Sequence, residues 1–187
     1  MKKRIWISRL LVVWLLLGAG LSAIYAVTPE ERQALIDLYN STNGDSWTNN
    51  SGWKTPPLDV DGFAMPGTEG TWFGVTVDSV TLSVTRLSLN SNNLSGVLPA
   101  SLGNLASLQF LLLTYNQLTG VIPSTIFDIS TLQYLYLANN QLSGSIPGGA
   151  LNSSSLLTVQ LYANQLSGSL PEIAAENYTL TEFNGYN

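Results

Sequence analysis

From Val84 onward the apolar residues follow two periods at once. Over a short span they alternate, and the whole span returns every twenty-four residues. Val84, Leu108, Leu132, Leu156 and Leu180 open successive rows. Leu87, Leu111, Leu135, Val159 and Phe183 come three places later, then Leu89, Leu113, Leu137 and Leu161. Each of the four full rows continues in register with Asn92, Asn116, Asn140 or Asn164, then a Leu, a Gly and finally Pro99, Pro123, Pro147 or Pro171. A fixed period of this length marks a stack of similar coils.

The alternating span predicts a short strand with one buried face. Strands of successive coils pair as a parallel sheet, roughly 4.8 Å apart. Parallel pairing needs a long return path, which the rest of each row supplies. Where the chain leaves the strand, an Asn side chain has the donors and acceptor to satisfy backbone groups that the turn leaves unpaired. The four Asn are therefore expected to form a structural ladder. The Gly column suits an unusual φ or a close neighbour, and the Pro column an extended return.

The rows Leu108–Pro123 (LQFLLLTYNQLTGVIP) and Leu132–Pro147 (LQYLYLANNQLSGSIP) resemble the plant-type, twenty-four-residue leucine-rich repeat, a kind also found in secreted bacterial proteins. The resemblance implies an α/β repeat solenoid. Its coil stack is curved, with a parallel sheet on the concave face and 3-10 or extended returns on the convex face. It also implies a variable, ligand-facing concave surface. The repeat region spans 84–187, as rows 84–107, 108–131, 132–155, 156–179 and a partial 180–187.

Residues 27–83 read as the cap that covers the first coil. Thr28 as N-cap, Pro29 at the first helical position and Glu31 in a capping box predict a helix over 28–40. Ala34, Leu35, Leu38 and Tyr39 form its apolar face. Trp47 and Trp53 sit in a turn-rich stretch. They either stack on a sugar or, the stronger reading, anchor a coreless loop. The E-x-x-A-L helix, the Gly44-Asp45-Ser46-Trp47 turn and the Trp72–Thr76 strand resemble the family's N-terminal cap. Thr71 and Val77 stand where plant members often carry Cys, which implies a cap held by packing alone. Residues 54–70 read as loop; Asp59 and Asp61 there lack the further ligands of a calcium site. Strands over 72–77 and 80–89, turning at Asp78-Ser79, lead into the first coil.

Met1–Ala26 reads as a secretory signal, with a cationic start, an apolar run and small residues before the cut. Uncleaved, it is an anchor, and only then is a membrane a partner. Removing it takes the formal charge from −5 to −9, because seven basic residues become three against the same twelve acids. That balance argues against a nucleic-acid partner. There is no Cys and no His, hence no disulfide, thiol nucleophile or imidazole base. Export without disulfides fits a bacterial source better than a eukaryotic one. No catalytic motif, metal ligand set or cofactor motif stands out, and the chain reads as a non-enzyme. The last row breaks off at Asn187, so that edge either continues in a longer chain, the favoured reading, or docks a partner.

Residues between the Leu positions point to the sheet's other face. That face collects Arg86, Phe110, Tyr134 and Thr158 in one column and Ser88, Leu112, Tyr136 and Gln160 in the next. Tyr115 and Tyr162 follow, and Gln109, Gln133 and Gln160 flank the group. The candidate ligand-binding set is thus Arg86, Gln109, Phe110, Tyr115, Gln133, Tyr134, Tyr136, Gln160 and Tyr162. Clustered aromatics mark contact sites, and they also stabilise a solvated sheet by stacking; both readings stay open. The expected function is an exported, secreted or cell-surface module that binds a protein or peptide. A glycan-binding module, or a structural segment of a longer adhesin, is the alternative.

Overall fold

The computed structural model describes residues 26–148, 151, 154–169 and 182–184. The expected signal segment up to residue 25, most of the expected fourth return and the chain end fall outside them. The fold is a leucine-rich-repeat solenoid. A six-stranded main sheet runs β1 (Val75–Val77), β2 (Val84–Ser88), β4 (Phe110–Leu112), β6 (Tyr134–Tyr136), β8 (Thr158–Gln160), β10 (Glu182–Asn184). β1 is antiparallel to β2 and every later pair is parallel. The register advances by one row per strand: Leu87, Leu111, Leu135, Val159 and Phe183 are successive partners.

A second sheet, which the apolar pattern does not announce, lines the return side. It joins β3 (Ser95–Val97), β5 (Gln117–Gly120), β7 (Gln141–Gly144) and β9 (Gln165–Leu166). Two returns then tighten into 3-10 turns at Ala100–Asn104 and Ser124–Ile126. One continuous core lies between the sheets and the returns. Leu87, Leu111 and Leu135 fill it from the strands, Leu102, Leu105, Ile126 and Ile129 from the returns, all buried. In the third return the buried place is taken by Leu151. Gly96, packed against the cap, has the strictest need in the Gly column. Its φ is +128°, and a Cβ there would lie 2.1 Å from the Ser41 carbonyl oxygen, so a side chain meets backbone rather than a movable group.

The Asn column stitches each coil to the one before. The Asn116 amide donates to the carbonyls of Leu89 and Leu113, both at 2.9 Å, while its oxygen accepts from the N–H groups of Asn92 and Leu94 at 3.0 Å. Asn140 repeats this with Leu113, Leu137 and Leu118. Asn164 does so with Leu137, Leu161 and Leu142. Asn92, at the start, pairs instead with Asn49 of the cap.

The cap is built on α1 (Pro29–Ser41), whose capping box closes between Thr28 and Glu31. Glu31 also accepts from the Val84 N–H at 3.0 Å, tying the helix start to β2. Tyr39, Trp47, Trp53, Phe63 and Trp72 form a buried aromatic cluster with centroid distances of 4.8–6.0 Å. Both indoles of the turn-rich stretch are thus core, with Nε1 donors spent on the carbonyls of Thr42 and Phe73. The strand entry differs from expectation. The turn spans Asp78–Ser83 rather than Asp78-Ser79, because the Asp78 carboxylate accepts from the N–H groups of Val80 and Thr81 and holds a wider loop. β1 accordingly starts at Val75, after a turn that buries Trp72.

The loop over 54–70 is pinned by Arg32 of α1. Its guanidinium, buried on the helix, pairs with Glu69 and Asp61 and donates to the Ala64 carbonyl. Glu69 is sealed, with 1% of its side chain exposed, whereas Asp61 keeps 28%. Burial alone would raise the Asp61 carboxyl. The hydrogen bonds from Arg32 and from the Phe63 N–H outweigh it and hold the carboxyl below the usual range. A carboxyl depressed on folding stabilises above its unfolded pKa of about 4, and the contribution is lost as pH falls through the folded value. Tryptophan emission, which within the described residues reports on the cap alone, should therefore show cap stability declining as pH falls below about 4. Asp61→Asn should flatten that decline; an unchanged profile would remove Asp61 from the account.

Candidate functional site: the outer face of the main sheet

The pleat sends Leu87, Leu89 and their equivalents inward, so Arg86, Phe110 and Tyr134 emerge together on the other side. The ladder makes them successive partners, Arg86 opposite Phe110 and Phe110 opposite Tyr134. The three planar groups stack along the solenoid. The Arg86 guanidinium carbon lies 3.6 Å from the Phe110 centroid. The Phe110 and Tyr134 rings are 4.8 Å apart and 3° from parallel. Tyr136, two places along the same strand, stands at 90° to Tyr134 with centroids 6.2 Å apart. Stacking on a neighbour in register is a cross-strand effect that stiffens the sheet, and the cation over the ring adds to it. Both the structural and the contact reading therefore draw on one arrangement.

Arg32 and Lys54 are ion-paired, Lys54 with Asp45. Arg86 has no ion pair among the described residues, and its guanidinium uses a face on Phe110 while its in-plane donors make no protein hydrogen bond there. Between residues 84 and 169, Arg86 and Asp128 are the two charged side chains. The face is otherwise neutral and rich in rings, hydroxyls and amides.

The rest of the predicted set distributes unevenly. Gln109 and Gln133 sit one place before the strands, where their carbonyls accept from the next coil's N–H groups, and their side chains flank the stack half-buried. Gln160 partners Tyr136 in the ladder. Tyr162 is half-buried beyond β8. Tyr115 lies past the end of β4 in the turn, at φ +58°, 62% exposed, with no ring contact to Phe110, Tyr134 or Tyr136. Its column explains this. Ser91, Tyr115, Asn139 and Ala163 all take positive φ, between 51° and 58°, because the chain turns inward there toward the Asn ladder. Period-two alternation no longer holds across such a turn. Thr158, counted with the outer column, is buried.

Among the described residues no group of three or more acidic side chains is placed to hold a metal, and no carboxylate pair faces the outer sheet surface. The ion-paired cluster of Arg32, Asp61 and Glu69, which sequence reasoning missed, belongs to the cap. Its only signal was a basic residue one place after the capping Glu31, on a helix otherwise read for its apolar face.

A family model described as leucine rich repeat matches residues 82–142. Among curated protein sequences the chain has no match. Similar solved structures include the LRR ectodomain of the receptor kinase SOBIR1 from Arabidopsis thaliana, at 23% identity and TM-score 0.57, covering 86% of this chain and 94% of that one. The crystal structure of PEPR1-AtPEP1 is similar at 25% identity and TM-score 0.63, over 85% of this chain and 25% of that one. A Pollen Receptor Kinase 3 structure is similar at 30% identity and TM-score 0.53, over 60% of this chain and 54% of that one. The chain thus spans about a quarter and about half of the latter two.

Proposed function

We propose that this leucine-rich-repeat solenoid is an exported, non-catalytic recognition module that binds a protein or peptide on the outer face of its main sheet. The observation that carries the reading is the Arg86–Phe110–Tyr134 stack with Tyr136 set across it. Rigid aromatics and a stacked Arg are the groups that dominate protein contacts, and here they form one patch on rigid strands. The scarcity of charge around them suits a ligand that is not strongly ionic. Likeness to the structures of a pollen receptor kinase and of PEPR1-AtPEP1 is consistent with a receptor-type recognition role. Export rests on the cationic and apolar N-terminal sequence.

The test is affinity capture from the protein's native surroundings with wild-type bait and a Tyr134→Ala, Tyr136→Ala double variant, quantified by mass spectrometry. Partners specific to the wild type should fall by about tenfold or more, since truncating a central aromatic anchor costs about 2 kcal/mol or more. The variant should keep the circular dichroism of the fold. Equal recovery on both baits would overturn the assignment. Binding of oligosaccharides, lost in the same variant, would favour the glycan reading instead.

A further inference from the structure

Beyond residue 26 the basic residues are Arg32, Lys54 and Arg86, and the fold treats the last of them differently. Arg32 holds Asp61 and Glu69, and Lys54 holds Asp45. Arg86 makes no ion pair and no hydrogen bond among the described residues. It is half-buried, yet its donors are open. The sealed side-chain N and O atoms without a partner there are Thr114 Oγ1 and Asn139 Nδ2, so every Arg86 nitrogen reaches solvent. The guanidinium lies 3.6 Å from the Phe110 centroid, which fixes its plane and leaves the in-plane fork free. Thr76, opposite Arg86 in the ladder, is exposed, and Ser88, two places along the same face, is half-buried. Neither hydroxyl makes a hydrogen bond among the described residues. The acid that follows β1, Asp78, spends its carboxylate on the N–H groups of Val80 and Thr81.

From this arrangement, and resting on the recognition reading above, we infer that Arg86 is the anchor for one carboxylate of the peptide or protein ligand, with the Thr76 and Ser88 hydroxyls beside it as further donors. A ligand that spans the stack meets Arg86 and Phe110 together, because the guanidinium sits against that ring. Covering a cation strips its water, which is costly unless an anion takes the water's place. A carboxylate matches the planar fork with two parallel bonds. The chain already shows that pairing once: Arg32 donates through Nε and Nη2 to the two oxygens of Asp61, at 2.9 and 3.1 Å. A neutral carbonyl leaves the covered cation uncompensated. A phosphate dianion brings two charges to a face with one cation, in a chain whose net charge is −5. The ligand surface is thus one carboxylate set in otherwise neutral, apolar contact. Its source is either an acidic side chain or a chain terminus.

The experiment titrates the full chain with two matched pairs of probes and follows the Arg86 Nε–H and the Phe110 and Tyr134 ring protons by NMR. N-acetyl-phenylalanine, with a terminal carboxylate, is set against N-acetyl-phenylalaninamide. N-acetyl-aspartyl-phenylalaninamide, with a side-chain carboxylate, is set against N-acetyl-asparaginyl-phenylalaninamide. In at least one pair the acid should bind about fivefold or more tighter than its neutral twin and shift the Arg86 Nε–H. The pair that does so identifies the source of the carboxylate. The preference should weaken with added salt and fall to within about twofold in Arg86→Gln. Arg86→Lys, which keeps the charge and loses the fork, should keep part of it and holds the test decisive if the Gln variant misfolds. Equal binding within both pairs would overturn the anchor, as would a preference that survives in Arg86→Gln. If Arg86→Gln still captures the native partners while Tyr134→Ala, Tyr136→Ala does not, the recognition face stands and the carboxylate anchor falls.

Discussion

Asn116→Ala should lower the stability of the protein by about 3–5 kcal/mol, read from urea unfolding followed by circular dichroism. The amide has four close backbone partners, the carbonyls of Leu89 and Leu113 and the N–H groups of Asn92 and Leu94, and a longer fifth, the Thr114 carbonyl at 3.4 Å. All four lie where the chain turns inward, and Asn116 is buried. Each buried group left unpaired costs roughly 1–3 kcal/mol. Water entering the vacated space offsets part of that, which sets the lower bound. Gln117→Ala, one residue on and exposed, loses a single bond to Asn93 and should change stability by less than about 0.5 kcal/mol. Because Asn116 joins the first coil to the second, its loss should also broaden the transition as the two sides unfold separately. A loss equal to that of Gln117→Ala would mean the ladder is ornamental.

Arg32→Ala should cost a similar amount, about 3–5 kcal/mol, through a different mechanism. It leaves Glu69 as a sealed carboxylate without its partner, and the Ala64 carbonyl without its donor. It also removes the cation that sits 5.3 Å from the Trp72 ring centroid. The two carboxylates are not equivalent. Asp61 retains contact with water and can be solvated once unpaired, so Asp61→Asn should cost well under half as much. The pairing is isolated by adding Glu69→Leu to Arg32→Met. Removing both charges should restore part of the stability lost on removing one, since the penalty is that of a stranded charge. An additive double variant would contradict this. Tryptophan emission reads the cap, and far-ultraviolet dichroism reads the coils with it.

The parts legible in the sequence are those in which chemistry repeats. Leu87, Leu111 and Leu135 declare an inward face because they recur at fixed spacing, and the sheet register follows from that alone. The helix start was equally plain, since Thr28, Pro29 and Glu31 act through local hydrogen bonds. Arg32 was opaque because its partners, Asp61 and Glu69, lie about thirty or more residues away in a loop with no period. The second sheet was hidden for another reason. Its strands are three or four residues at most, and Gly96, Gly120 and Gly144 within them read as turn residues. At the candidate site, alternation identified Phe110, Tyr134 and Tyr136 as neighbours. It gave no sign of the left-handed turn that holds Tyr115 one residue before the ladder Asn. That the rings would stack face on face depends on side-chain torsions that no spacing encodes.

The ladder contacts of each coil reach back by one row and no further; the Asn amide bonds, for instance, span 22 to 27 residues and then begin again. Nothing in the described coils depends on how many rows precede it. A gene encoding such a chain can therefore gain or lose whole rows by in-frame duplication or excision, and each junction finds the same bonding groups waiting. What such an event alters is the sequence of planar groups along the outer face, so binding specificity can change while the backbone joins remain the same.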